Sequence, residues 1–450
     1  MKRYKLGEIL ELQRGYDLSS NQMLKGDIPV VGSNGIIGYH NVSKGKVPCI
    51  TVGRSGSVGK VHFYKKPVWV HNTALFVKDF KNNVPVFLYY FLQNLKLDVI
   101  YGKTSSVVPS LDRKVAYLLD VPFIDDLSEQ QRIAKILSTI DAKIELNKKI
   151  SRELEAMAKE LYDYWFVQFD FPNAQGKPYK SSGGKMVWNA TLKREIPEGW
   201  EVKKLGDIIS KLSSGKRPKG GIDKTLKTGI PSLGAECINE HLGEFDFLST
   251  PFIKDSFKDK LSNGKIEKND ILIYKDGAYV GKVTLFRDGF PYQDAYVNEH
   301  VFLIHATEEK YEEFLYFTLS SSSYFNIMQN LGKVKAAQPG LNKDDLNSIM
   351  LLVPRKDIII NFHNKVESYF RKIFLNANQI GRLIVLRNQL LPLLMNGQVR
   401  VSEEKGASVS QKDDTNRFIL WKNTHAVAAR GEKNDTVLRA MYDAMDDEDK

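Results

Sequence analysis

Two kinds of hydrophobic pattern alternate along the chain. In the first, short apolar runs bounded by Gly, Pro, Asn and Asp, such as VPCITVG, VHFY, ILIYKDG and VTLF, predict strands joined by tight turns. In the second, apolar residues step by three and four over a long stretch free of Gly and Pro. This stretch follows Ser128, a candidate N-cap, and runs to Phe166; one seam carries Ile133, Leu137, Ile140 and Ile144, then polar Asn147 and Ser151, then Leu154, Ala158, Leu161 and Trp165. A second seam of the same register carries Phe362, Val366, Tyr369, Ile373, Asn376, Ile380, Leu383, Arg387 and Leu390, ahead of Pro392. A heptad seam asks for a helical partner, and the two seams pair most economically with each other. Run antiparallel, they set Asn147 opposite Asn376, a buried polar layer that fixes register, with the two amides in hydrogen-bonding reach. The alternative is burial of each helix against its own domain. A helix of about 38 residues is on the order of 57 Å long, enough to hold two domains well apart.

The strand-rich parts repeat with a period of roughly 200 to 230 residues, the size of a duplicated domain. KLGEILEL (Lys5 to Leu12) returns as KLGDIISKL (Lys204 to Leu212), and IPVVGSNG (Ile28 to Gly35) as IPSLGAEC (Ile230 to Cys237). SVGKVHFY (Ser57 to Tyr64) returns as YVGKVTLF, FLYYFL as FLYFTL, and VPSLD as QPGLN, always in order. The resulting boundaries are 1–127 and 198–356 for the repeated domains and 128–168 and 357–401 for the helices. The Gly-, Pro-, Ser- and Lys-rich residues 169–197 read as a linker, and 402–450 as a polar tail.

Charge narrows the partner. The chain carries +11, yet residues 401–450 hold eight Lys/Arg against eleven Asp/Glu, so residues 1–400 carry +14. A basic body favours a polyanion. The two cysteines, Cys49 and Cys237, form no CxxC or Cys/His cluster, which fits a reducing cytosol and excludes a disulfide framework. No apolar run reaches membrane-spanning length, so a soluble, cytoplasmic protein is expected.

Familiar catalytic patterns fail. In TVGRSGSVGKV (Thr51 to Val61), Gly59-Lys60 is followed by Val61 and preceded five residues earlier by Arg54, against the P-loop pattern GxxxxGK[ST]. The glycine spacing is GxxGxxG and not GxGxxG, and GRSG lies between strands, whereas a KH loop joins helices. In the second copy Gly53 and Gly56 align with Lys275 and Ala278, which retains a turn into a strand and an exposed lysine; Arg54 and Ser55 fall against Asp276 and Gly277. No GxSxG or HExxH occurs, no two histidines stand at metal-ligand spacing, and Glu299-His300 aligns with Thr73-Ala74, so no acid–base or metal site is expected.

This organisation resembles the specificity subunit of type I restriction-modification enzymes. The likeness is carried by IPVVGSNGIIGYHN, SEQQRIAKILSTIDAKIELN, FDFPNAQGKPYKSSGGKMVW, IPEGWEVKKLGDI and LLPLLMNGQVRV, across roughly residues 1–401. The resemblance implies an α+β chain with two repeated β-rich target recognition domains separated by a long antiparallel two-helix coiled coil. Each domain would read one half of a split target in double-stranded DNA. Two methyltransferase subunits would dock on the helices, restriction subunits would join them, and S-adenosylmethionine, ATP and magnesium would belong to those partners. The chain itself would carry no catalytic residue and no cofactor. The other reading left open is an assembly scaffold whose basic charge is incidental.

Base edges are read by Arg, Lys, Asn, Gln, Ser and Thr, and phosphates by Lys, Arg and hydroxyls. In the first copy the candidates are Arg14, Tyr16, Ser33, Asn34, Tyr39, His40, Arg54, Ser55, Lys60, Lys103 and Ser105. In the second they are Ser214, Lys216, Arg217, Lys219, Lys275, Tyr279, Lys282, Lys333, Lys335 and Gln338.

Overall fold

The computed structural model describes residues 1–101, 110–217, 226, 228–261, 263–333, 340–401 and 427–429. The chain divides into two compact units, Met1–Ala142 with Val385–Lys450, and Lys143–Ile384. The division falls inside each long helix, whereas the sequence boundaries fall at the helix ends.

In unit 1 the central sheet is built from β1 (Glu11–Arg14), β2 (Cys49–Gly53), β3 (Val61–Tyr64) and β4 (Ala74–Asp79), in spatial order β1-β4-β2-β3, all antiparallel. Unit 2 repeats it with β5 (Ile209–Ser214), β6 (Asp270–Tyr274), β7 (Val283–Phe286) and β8 (Val301–Ala306), in order β5-β8-β6-β7. The β-branched and aliphatic runs CITVG and VTLF are buried at every position, which is why they read as continuous apolar runs and not as alternating ones. A three-stranded sheet around Ile28–Gly32 flanks the first, and one around Ile230–Leu233 flanks the second. One helix caps each: α1 (Pro85–Asn94), with Pro at its first turn, packs on β3, and α3 (Glu312–Ser320) packs on β7.

The long helices are α2 (Leu127–Tyr162), continued by a π-helical turn over Asp163–Val167, and α4 (Lys356–Met395), after which Val399–Val401 is a strand. Ser128 is not the N-cap: its N–H donates to the Asp126 carboxylate (3.0 Å) one turn-start earlier. In unit 2 the two helices run antiparallel, with Phe166, just beyond α2, against Phe362 near the start of α4 (centroids 5.0 Å). Asn376, fully buried, donates from Nδ2 to the Asn147 carbonyl (3.5 Å) and to Ser151 Oγ (3.3 Å). The expected amide-to-amide bond is absent because the Asn147 amide turns to Gln379 Oε1 (2.5 Å). In unit 1 the seam's polar layer is charged: Arg387 meets Asp141 (2.6 Å), which also accepts from the Tyr90 hydroxyl (2.6 Å).

The residues expected as a linker are folded. Phe169, Phe171 and Ile196 are buried in the unit 2 core with Trp200, Phe171 stacks on Tyr179 (4.6 Å), and Met186–Asn189 pairs with Arg194–Pro197 as a hairpin. The Gly, Ser and Lys residues that suggested looseness make the turns, and spaced aromatics supply the packing. Among the described residues no helix is long and apolar enough to cross a membrane.

Candidate nucleic-acid interface

Each central sheet ends in a cluster of loops, and the same backbone hydrogen bonds frame both clusters. His71 N–H donates to Val31 O (2.8 Å) as Asn298 N–H does to Leu233 O (2.9 Å). Arg54 N–H donates to Thr73 O (2.9 Å) as Lys275 N–H does to His300 O (2.9 Å). Leu111 N–H reaches Arg54 O (2.8 Å), and Leu341 N–H reaches Lys275 O (2.9 Å). Gly53 N–H bonds Lys60 O and Tyr274 N–H bonds Lys282 O, both at 2.8 Å. Arg54 is therefore equivalent to Lys275, Ser55 to Asp276, Asn72 to Glu299 and Thr73 to His300. This corrects the linear alignment by one residue, because residues 275–280 loop where residues 54–58 do in unit 1. Both loops close on a glycine at positive φ, Gly59 (+79°) and Gly281 (+85°). A Cβ on Gly59 would lie 2.2 Å from the Asp98 amide nitrogen, so the turn is a scaffold element.

In unit 1 the cluster gathers Arg14, Ser33, Asn34, Arg54, Ser55 and Lys60. Arg14 pairs with Asp17 (3.1 Å), whose carboxylate also accepts from the Asn72 amide; that bond holds its carboxyl below the usual range. The Arg54 guanidinium donates to Asn72 O (3.0 Å), Ser33 N–H to Thr73 Oγ1 (3.3 Å), and Lys60 Nζ to Asn34 Oδ1 (2.7 Å). Tyr39 is exposed on the neighbouring strand. Two candidates are displaced from the surface. His40 is 6% exposed, its Nδ1 accepts from Leu24 N–H (3.0 Å), and its ring packs edge-on to Trp69. Tyr16 is half-buried between Trp69 and Phe76 and beneath Lys44. Both serve the core: each ring gains more from apolar packing than from water, and the Tyr16 hydroxyl accepts locally from the Gln13 amide (3.1 Å).

In unit 2 Ser214, Lys216, Arg217, Lys275, Tyr279 and Lys282 come together. Arg217 Nε lies 2.5 Å from Glu299 Oε1, while Ser214 Oγ and Lys275 Nζ donate to the Glu299 carbonyl (3.3 and 3.1 Å). His300 Nδ1 is 2.5 Å from Asp276. Lys282 sits over the exposed Tyr279 ring (5.6 Å). Lys333 is exposed at the end of the helix Ser322–Lys333, which Gln329 ties to Val280 O (2.6 Å) in the β6–β7 turn. Lys103, Ser105, Lys219, Lys335 and Gln338 lie outside the described residues.

Asp17, Asn72, Asp276, Glu299 and His300 were not among the sequence candidates. Their signal was position: each lies between matched blocks, where a scaffold repeats and its side chains diverge. Among the described residues, one group has metal-ligand atoms in mutual reach, Glu312, Glu313 and His363, all within 4.8 Å. Glu313 already accepts from Arg287 (2.8 Å) and pairs with His363 (2.8 Å), beside a cleft of about 610 Å³, so the group is an ion-pair network at the head of α3. Burial pushes the Cys49 and Cys237 thiols up to about 12, which makes both unreactive.

The family model for the type I restriction modification DNA specificity domain matches residues 1–156 and again residues 197–380. The type I restriction enzyme MjaIX specificity subunit of Methanocaldococcus jannaschii is 29% identical over 77% of this chain and 76% of its own length. The HindI specificity subunit of Haemophilus influenzae is 26% identical over 61% and 68%. Among solved structures, the S subunit of a type I restriction-modification system from M. genitalium has a TM-score of 0.56 at 17% identity, over 88% of this chain and 96% of that one.

Proposed function

Because the chain belongs to the type I restriction-modification DNA specificity family, we propose that its two units read the two halves of a bipartite site in double-stranded DNA. In this reading the α2–α4 pair sets the spacing between halves and docks two methyltransferase subunits, which restriction subunits then join. The chain contributes recognition alone; S-adenosylmethionine, ATP and magnesium belong to the partners. The observation that carries this is the repeated loop frame: the same backbone hydrogen bonds hold different polar side chains in unit 1 and unit 2, as two readers of two different sequences require.

The test is enrichment of a random duplex pool by the full chain together with its methyltransferase. A two-part sequence with a fixed gap is the expected product. A complex that forms yet enriches nothing would overturn the recognition reading in favour of a scaffold.

A further inference from the structure

One position in the shared loop frame reverses its chemistry between the units. Arg14 on β1 pairs with Leu75 and Ser214 on β5 with Phe302, and Asp17 and Arg217 each stand three residues beyond these equivalent strand ends. Their partners, Asn72 and Glu299, are equivalent through the backbone bonds that flank them. In both units these two loops are tied by one side-chain pair: the Asn72 amide donates to the Asp17 carboxylate in unit 1, and Arg217 meets Glu299 at 2.5 Å in unit 2. Acid and amide thus stand where base and acid stand. The Glu299 side chain is about one-third exposed, although its Oε2 is covered.

We propose that this cross-loop pair determines one base pair in each half-site, C·G for Arg217–Glu299 and A·T for Asp17–Asn72. The inference rests on the DNA-recognition reading. In the major groove a C·G pair shows two acceptors on guanine, N7 and O6, beside one donor on cytosine, the N4 amine. An arginine fork next to a carboxylate is the complement of that edge: the guanidinium donates to guanine, and the carboxylate accepts from the amine. An A·T pair offers the fork only one acceptor on the purine, N7. Asn72 suits adenine instead, because an amide both accepts from N6 and donates to N7. Asp17 takes one amide hydrogen and orients the group, leaving the second hydrogen and Oδ1 for the base.

The experiment transplants the unit 1 pair into unit 2 in the full chain with its methyltransferase, as Arg217→Asp with Glu299→Asn, and repeats the enrichment. The expected result is a change at one position of one half-site from C·G to A·T, by on the order of tenfold in preference, with the other half-site unchanged. A second variant, Glu299→Gln, keeps the side chain's size and should admit adenine at that position alone. As an atom-level check, replacing the selected cytosine by 2-pyrimidinone, which lacks the amine, should weaken the wild type by about tenfold and leave Glu299→Ala indifferent. A two-part site recovered with no change at any position in either variant, or a loss equal for every sequence, would overturn the pair's role and leave the recognition reading intact. Failure of the wild-type complex to enrich any site would overturn both.

Discussion

Unit 1 and unit 2 hold the heads of their equivalent helices by opposite means. At the start of α1 a neutral amide does the work: Gln130, fully buried, accepts from Val84 N–H (2.9 Å) and donates to Asn83 Oδ1 and Ile124 O (both 2.8 Å). At the start of α3 the residues that replace Pro85 and Val86 are Glu312 and Glu313, and Glu313 is held by Arg287 and His363. The helix-pair seams show the reverse, charged in unit 1 (Asp141–Arg387) and amide-based in unit 2 (Asn147, Asn376). A duplicated scaffold therefore keeps its backbone bonds and lets each polar contact choose its own chemistry. Whatever differs at the loop frame belongs to the same freedom, and that freedom is what the proposed reading of two half-sites requires.

The sharpest way to separate the two latches is to cut each. Glu313→Ala leaves Arg287, at 8% side-chain exposure, with only its longer contacts to Glu367 (3.4 Å) and Asp288 (3.5 Å) among the described residues, and should cost about 3 kcal/mol locally, the lower end of what removing one member of a buried ion pair costs. Gln130→Ala leaves neutral groups unbonded and should cost about 1–3 kcal/mol. Hydrogen exchange at the amides of α3 and α1 reads the two losses separately, which whole-chain unfolding of two units would not. Equal losses would mean that the charge in unit 2 adds nothing.

The seam offers the next largest effect. Asp141→Ala removes the partner of Arg387, in a pair about one quarter exposed, and of the buried Tyr90 hydroxyl, and should loosen the unit 1 end of the pair by about 1–2 kcal/mol. Asn376→Leu should strengthen the unit 2 end, since Asn376 Oδ1 is buried without a partner. Protection changes of the same sign in both units would break the contrast.

A smaller effect tests whether the retained lysine plays one role twice. Lys60→Ala and Lys282→Ala should each lower the slope of log affinity against log salt by about 1, as loss of one phosphate contact does. A change in one variant only would give the VGKV turn a different task in each unit.

Much of this architecture is legible in the sequence. The repeat and the seams needed only short apolar runs and a three–four stepping, because buried strands and paired helices are dictated by period. The loops resisted for physical reasons. One extra residue between Tyr274 and Gly281 shifted the linear alignment, and only backbone hydrogen bonds show that Lys275 answers Arg54. His40 looked like a reader by residue type, yet Trp69 and the Leu24 amide draw it inside. Asp17 and Asn72 lie far apart in sequence, and their pairing is a property of the folded loops.

The smallest expected effect concerns Glu312, which occupies the place of Pro85 and is 6% exposed. Burial, reinforced by the adjacent Glu313 carboxylate, raises its carboxyl above the ordinary value of 4.5, against smaller opposing contributions from a backbone hydrogen bond and His363. A carboxyl raised in the folded state prefers its proton there. Stability of this latch therefore falls as pH climbs from the unfolded value near 4.5 through the higher folded one, and the full cost of burying the charge is felt above that. Glu312→Gln should relieve that cost, protecting α3 relative to the wild type at about pH 8 and approaching it at about pH 4, where the Glu312 carboxyl holds its proton. Unit 1 has no ionisable group at this place, so α1 measured in the same samples should not change. A gain of equal size at both pH values would trace the effect to packing and would remove charge from the difference between the two latches.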